Sequence, residues 1–214
     1  LDTDPEKVAR LGVELIRGFY EAGVIPVGKH FPGHGDTSQD SHLTLPRVER
    51  TRESLEKTEL IPFAQAIQQG LEVIMSAHVV YPAWDSEQPA TFSPTIMSEL
   101  LRNTLQFDGI LISDDLEMKA IDQKLESIPV LGTQAGIDLF LICHDLEKVT
   151  ALQDAMIQDI EAERIPHATI EQSLARIFKV KQRLNILEDF NSDFENILKE
   201  NQSLAQEMQA FVKE

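Results

Sequence analysis

Four short runs in this chain are apolar almost from end to end: "VIPVG" at 24–28, "EVIMSAHVV" at 72–80, "GILIS" at 109–113 and "GIDLFLIC" at 136–143. A strand with one face in water alternates apolar and polar residues, whereas a strand apolar throughout is covered on both faces. Parallel strands flanked by helices are the usual cause. The intervals between the runs carry helical patterning, so the chain reads as repeated βα units.

The first helix is predicted from Asp4-Pro5, an N-cap followed by proline at the first helical position. Val8, Leu11, Leu15 and Phe19 then recur at helical spacing until Gly23. Further helices are expected over 51–69, with Pro62 opening a fresh turn and Gly70 closing it, over 95–105, in "LEMKAI" at 116–121 and around 147–160. Another begins at Thr169, with Thr169 and Gln172 as a capping box and Ile170, Leu174, Ile177 and Leu184 as the buried stripe. "YPAWDSEQPATFSP" at 81–94 reads as a loop.

Four parallel βα units with C-terminal helices cannot close a barrel alone. They are expected to form either the later half of a TIM-type (β/α)8 barrel or a small doubly wound sheet. Residues 1–184 form this partial barrel. Residues 185–214, with Phe194, Ile197, Leu198, Leu204, Met208 and Phe211 at roughly helical spacing, form a helical extension. Its final stretch, "SLAQEMQAFVKE", looks like a lead-in to a second domain, and the 214 residues read as a piece of a longer chain.

Lys and Arg number 19 against 36 Asp and Glu, a net charge of −17 that repels nucleic acid and anionic membrane surfaces, so neither is expected as a partner. No apolar run approaches the roughly 20 residues a membrane helix needs. Cys143 is the only cysteine and lies within an apolar run, so it is expected in the core. A cytoplasmic setting is expected.

In parallel βα folds, functional groups gather just past the C-terminal ends of the strands. Here those ends carry Lys29-His30 and the loop "FPGHGDTSQDSH" to His42, then His78, then Asp114-Asp115, then His144-Asp145. Asp40 and His42, two residues apart, can meet as a carboxylate and imidazole, which fixes the tautomer and supplies a proton donor and acceptor near neutral pH; an Asx turn is the plainer alternative. Asp114 follows an apolar strand, placed either to attack an electrophilic carbon or to cap a helix. For Asp115 the N-cap role is the better reading. His30, His34, Asp36 and His42 are candidate zinc ligands, but their spacing matches no short metal motif, and no metal or cofactor is expected. His78 and His144 are read as structural; Tyr81 and Trp84 either stack on an apolar sugar face or anchor their loop, and none of the four is assigned a catalytic role.

Together "KHFPGHGDTSQDSHLTLP", "MSAHVVYP", "PATFS" and "FDGILISDDLEMKAI" resemble family 3 glycoside hydrolases, in their bacterial β-N-acetylglucosaminidase branch. The resemblance runs from about Asp4 to Leu184 and implies an eight-stranded barrel, of which this chain shows the later four strands. It implies a carbohydrate substrate, a terminal N-acetylglucosaminide from peptidoglycan fragments, and a retaining mechanism. Asp114 matches the nucleophile, His42 the general acid/base, Asp40 its orienting partner, and Lys29 and His30 sugar-binding residues. The "DSH" tripeptide favours N-acetylglucosaminides within the family. The alternatives are a β-glucosidase or phosphorolytic relative and, from other classes, a metal-dependent hydrolase or a non-catalytic sugar-binding scaffold.

Overall fold

A computed structural model describes residues 2–34 and 45–183. The expectations for Asp36, Asp40 and His42, for Leu184 and for the extension at 185–214 lie outside these residues. The described strands are β1 (Val27–Phe31), β2 (Val73–Ser76), β3 (Val80–Tyr81), β4 (Asp85–Pro89), β5 (Ile110–Asp115) and β6 (Leu139–Leu141). The α-helices are α1 (Pro5–Glu21), α2 (Arg52–Lys57), α3 (Leu60–Gln68), α4 (Ile128–Ala135), α5 (Leu146–Glu161) and α6 (His167–Lys181). A π-helix spans Thr95–Thr104, its wide turn shown by Leu105 N donating to Leu100 O at 2.9 Å.

β1, β2, β5 and β6 form one parallel sheet in that spatial order, which is also their order along the chain. A doubly wound sheet reverses direction at a switch point; this one advances one way only, as the strands of a barrel do. The sheet is therefore a sector of a TIM-type barrel. Phe31, Ile74, Leu111 and Ile137 bury completely or nearly so beneath the surrounding helices. Among the described residues the flanks carry exposed apolar side chains: Leu15 and Phe19 on α1, Val27 on β1, and Leu174 and Phe178 on α6.

Local chemistry explains most element ends. The Asp4 side chain accepts from Glu6 N at 2.9 Å and so caps α1 as expected. Gly136, at φ 106°, closes α4, where Gly136 N and Ile137 N both reach Gly132 O. The helix expected over 51–69 is two, because Thr58 turns its hydroxyl back to Ser54 O while Glu59 pairs with Arg50.

Other expectations are corrected. The "EVIMSAHVV" run is not one strand: β2 stops at Ser76, and Val80–Tyr81 pairs antiparallel with Asp85–Pro89, so the expected loop contains a hairpin. Trp84 N donates to Tyr81 O at 2.9 Å to close the hairpin turn, and the Asp85 side chain then accepts from Glu87 N and Gln88 N within β4. "LEMKAI" is a series of turns, since Asp115 accepts from Glu117 N and the Glu117 carboxylate is drawn to another loop. No capping box forms, because α6 already begins at His167 after Pro166. Its buried face is Ser173, Ile177 and Val180 rather than a stripe through Leu174, as Ser173 bonds inward to Asp138. Cys143 is exposed, because β6 ends at Leu141 and leaves it in the following loop.

Candidate active site

The site lies where β1, β2, β5 and β6 end. Lys29 and His30 are the last polar residues of β1, where the peptide bonds Lys29–His30 and Phe31–Pro32 are both cis. The ladder to β2 breaks register between Gly28 and Phe31, which turns His30 over the rim. Asp114 is the penultimate residue of β5.

His30 and Asp114 stand on strands separated by β2, a backbone gap of about 10 Å. Even so, His30 Nε2 lies 3.5 Å from Asp114 Oδ2, so both side chains lean over the end of β2 and share one cleft. The other carboxylate oxygen of Asp114 accepts from Asp115 N at 2.8 Å. One oxygen is thus anchored to backbone while the second faces the cleft, a suitable posture for an attacking carboxylate. The His30 ring also meets His34 edge-on at 5.7 Å between centroids. Burial, together with neighbouring Lys29 and His34, lowers the His30 pKa, although the Asp114 carboxylate works the other way. A neutral imidazole beside the Asp114 carboxylate suits hydrogen bonding to sugar hydroxyls.

His78 lies just below. It is buried, and its ring spans from Thr91 Oγ1, 2.7 Å from Nδ1, to Asp115 O, 3.1 Å from Nε2. Burial lowers its pKa against the pull of Asp114. Thr91 in turn meets Ser76 Oγ at 2.9 Å. Sequence reasoning missed this network, because Thr91 follows His78 by thirteen residues and only the β3–β4 hairpin folds it back.

On the β6 side, Glu117 Oε2 accepts from the N–H groups of Cys143, His144 and Asp145, and Oε1 from Lys148. Burial raises its pKa, but the bonds from His144, Lys148 and Asp145 outweigh this and hold it down to about 2. Among the described residues Asp115, Glu117 and His144 offer ligand atoms within 4.8 Å of one another. The oxygens of Glu117 are already taken by N–H donors and an ammonium, so this group is a loop clasp rather than a cation site. Tyr81 is buried and donates to Gly33 O at 2.7 Å, and Trp84 packs on it, so of the two readings open for these aromatics the structure favours loop anchoring.

Residues 2–180 match the family model described as the N terminal domain of glycosyl hydrolase family 3. The chain belongs to glycosyl hydrolase family 3. A family 3 barrel accounts for the one-way strand order and for the site at the strand ends. The chain is 40% identical over 161 residues to a beta-hexosaminidase of Idiomarina loihiensis, covering 74% of this chain and 48% of that protein. A family 3 beta-N-acetylglucosaminidase from Paenibacillus superposes with a TM-score of 0.82 at 44% identity, covering 84% of this chain and 35% of that one. The Thermotoga maritima beta-N-acetylglucosaminidase gives a TM-score of 0.78 at 34% identity, covering 86% and 40%. The chain thus spans about half or less of the length of the relatives it matches. Among the described residues no helix is long and apolar enough to cross a membrane.

Proposed function

We propose that the chain carries the nucleophile-bearing side of the sugar site in a retaining exo-glycosidase that removes terminal β-linked N-acetylglucosamine. The observation that carries this reading is the convergence of His30 and Asp114 from non-adjacent strands onto one cleft, with Asp114 Oδ1 held by backbone and Oδ2 beside the His30 ring. The beta-hexosaminidase and beta-N-acetylglucosaminidase names of the relatives support the substrate class.

In this mechanism Asp114 Oδ2 attacks the anomeric carbon. The bond to the leaving oxygen breaks, and that oxygen takes a proton from His42. Water then attacks the same carbon and gives its proton to His42, and the sugar–Asp114 ester bond breaks to regenerate the carboxylate. Asp40 orients His42; for this pair the support is the "DSH" resemblance. Lys29 and His30 bind the sugar, and the neutral state favoured at His30 lets it donate one hydrogen bond and accept another. Peptidoglycan fragments as the source of substrate, and the cytoplasmic setting that suits them, rest on the same resemblance.

The test is nitrophenol release from nitrophenyl β-N-acetylglucosaminide and β-glucoside by the full chain, as wild type and as Asp114→Asn. The reading requires preference for the acetamido sugar, abolished by the substitution with folding retained. Turnover that survives Asp114→Asn but is lost to a chelator would replace it with the metal-dependent alternative.

A further inference from the structure

The His78 ring faces two oxygens, Thr91 Oγ1 and the Asp115 carbonyl, with few protons to share. The carbonyl of Asp115 only accepts, so the contact at 3.1 Å requires a proton on Nε2. In the neutral ring Nδ1 is then an acceptor and takes the hydroxyl proton of Thr91 across 2.7 Å. Thr91 Oγ1 also lies 3.1 Å from Ala77 O, but its single proton serves one partner at a time, and the shorter contact takes it. Ser76, fully buried, donates to the Thr91 oxygen and completes the chain. One direction of proton donation, from Ser76 through Thr91 and His78 to Asp115, satisfies every atom of the relay.

Asp115 is the residue on which this order ends and the Asp114 geometry begins. Its carbonyl is held by His78, while its N–H holds Asp114 Oδ1 at 2.8 Å. On the far side it pairs with Leu141 of β6, and Leu116 N bonds to Leu141 O. We propose that His78, locked by Thr91 as the tautomer protonated on Nε2, is a positioning residue that fixes the end of β5 and thereby aims the Asp114 carboxylate. The inference rests on Asp114 being the nucleophile. His78 is buried, and its effect passes through the Asp115 peptide. Misaiming a reacting group by an ångström costs about 100-fold in rate, and it acts on the chemical step rather than on sugar binding.

The experiment compares kcat and KM of the full chain for nitrophenyl β-N-acetylglucosaminide in wild type, His78→Ala, His78→Gln and Thr91→Val, with the nitrogen NMR signals of the wild-type ring. His78→Ala is expected to lower kcat by about 100-fold with KM changed by less than about 2-fold. His78→Gln, whose amide can donate to Asp115 O, recovers most of the loss. Thr91→Val, isosteric but unable to lock the tautomer, falls between. The wild-type spectrum shows the proton on Nε2. An unchanged kcat in folded His78→Ala, or a ring protonated on Nδ1, overturns the positioning role and leaves Asp114 as nucleophile untouched. If His78→Ala does not fold, an unchanged kcat in Thr91→Val overturns it instead. A wild type that releases no nitrophenol overturns both readings.

Discussion

Replacing Asp138 by Asn is expected to weaken the fold strongly while sparing the chemistry. Asp138 precedes β6, at the end of the sheet opposite the Asp114 cleft, and its carboxylate is fully buried. Oδ2 accepts from Leu111 N at 2.9 Å and Arg102 Nη2 at 2.8 Å; Oδ1 accepts from Ser173 Oγ and Arg176 Nη2, both at 2.7 Å. One carboxylate thereby ties the π-helix, β5 and α6 to the start of β6. Asparagine keeps the volume but turns an N–H2 toward these donors and removes the charge that balances two guanidinium groups.

Breaking a buried ion pair from one side costs about 3–5 kcal/mol. Arg102 retains the carbonyls of Gly109 and Gly136, and both guanidinium groups keep some contact with water, so the lower end, about 3 kcal/mol, applies. At about 2–4 °C per kcal/mol for a domain of this size, Tm should fall by about 6–12 °C. Urea denaturation and nitrophenol release on one preparation test both halves of the expectation. A loss below about 1 kcal/mol, or a fall in kcat of the folded enzyme with stability kept, would refute the reasoning.

Tyr81→Phe removes the hydroxyl that holds Gly33 O, so it should cost about 1 kcal/mol in denaturant melts and raise KM, because Gly33 follows His30 by three residues. Glu117→Gln should speed amide exchange at Cys143, His144 and Asp145 in hydrogen–deuterium mass spectrometry; unchanged protection there would refute the clasp. His30 and His78 both have pKa values below the ordinary 6.5, so the unfolded chain binds more protons as pH drops below that value. Their contribution to stability is complete above 6.5 and is lost on acidification, and His78→Gln should flatten that slope in denaturation curves taken across the window. A slope of the opposite sign would contradict the burial argument.

The four parallel strands were legible because each is a β-branched or aliphatic run between helical stretches, and Asp4-Pro5 announced α1 through local chemistry alone. What misled were places where distant groups overrule local preference. "LEMKAI" has helical composition, yet Glu117 is pulled to the N–H groups at 143–145, and Thr169 would cap well had Pro166 not started the helix earlier. Cys143 looked buried because apolarity continues past Leu141, where pairing with β5 has stopped. At the site, the strand-end rule found His30 and Asp114 separately. Their meeting across β2 depends on a register break that no residue spacing encodes, and the partnership of His78 with Thr91 depends on a hairpin that read as a loop.

The measurement that bears most directly on the account is peptide mass spectrometry of the full chain after reaction with a fluorinated N-acetylglucosaminide that slows release of the glycosyl-enzyme. The account predicts one added sugar, joined as an ester to Asp114, with none on the Asp114→Asn protein. A sugar carried on another carboxylate, or turnover of the nitrophenyl acetamido sugar with no covalent adduct under these conditions, would contradict it.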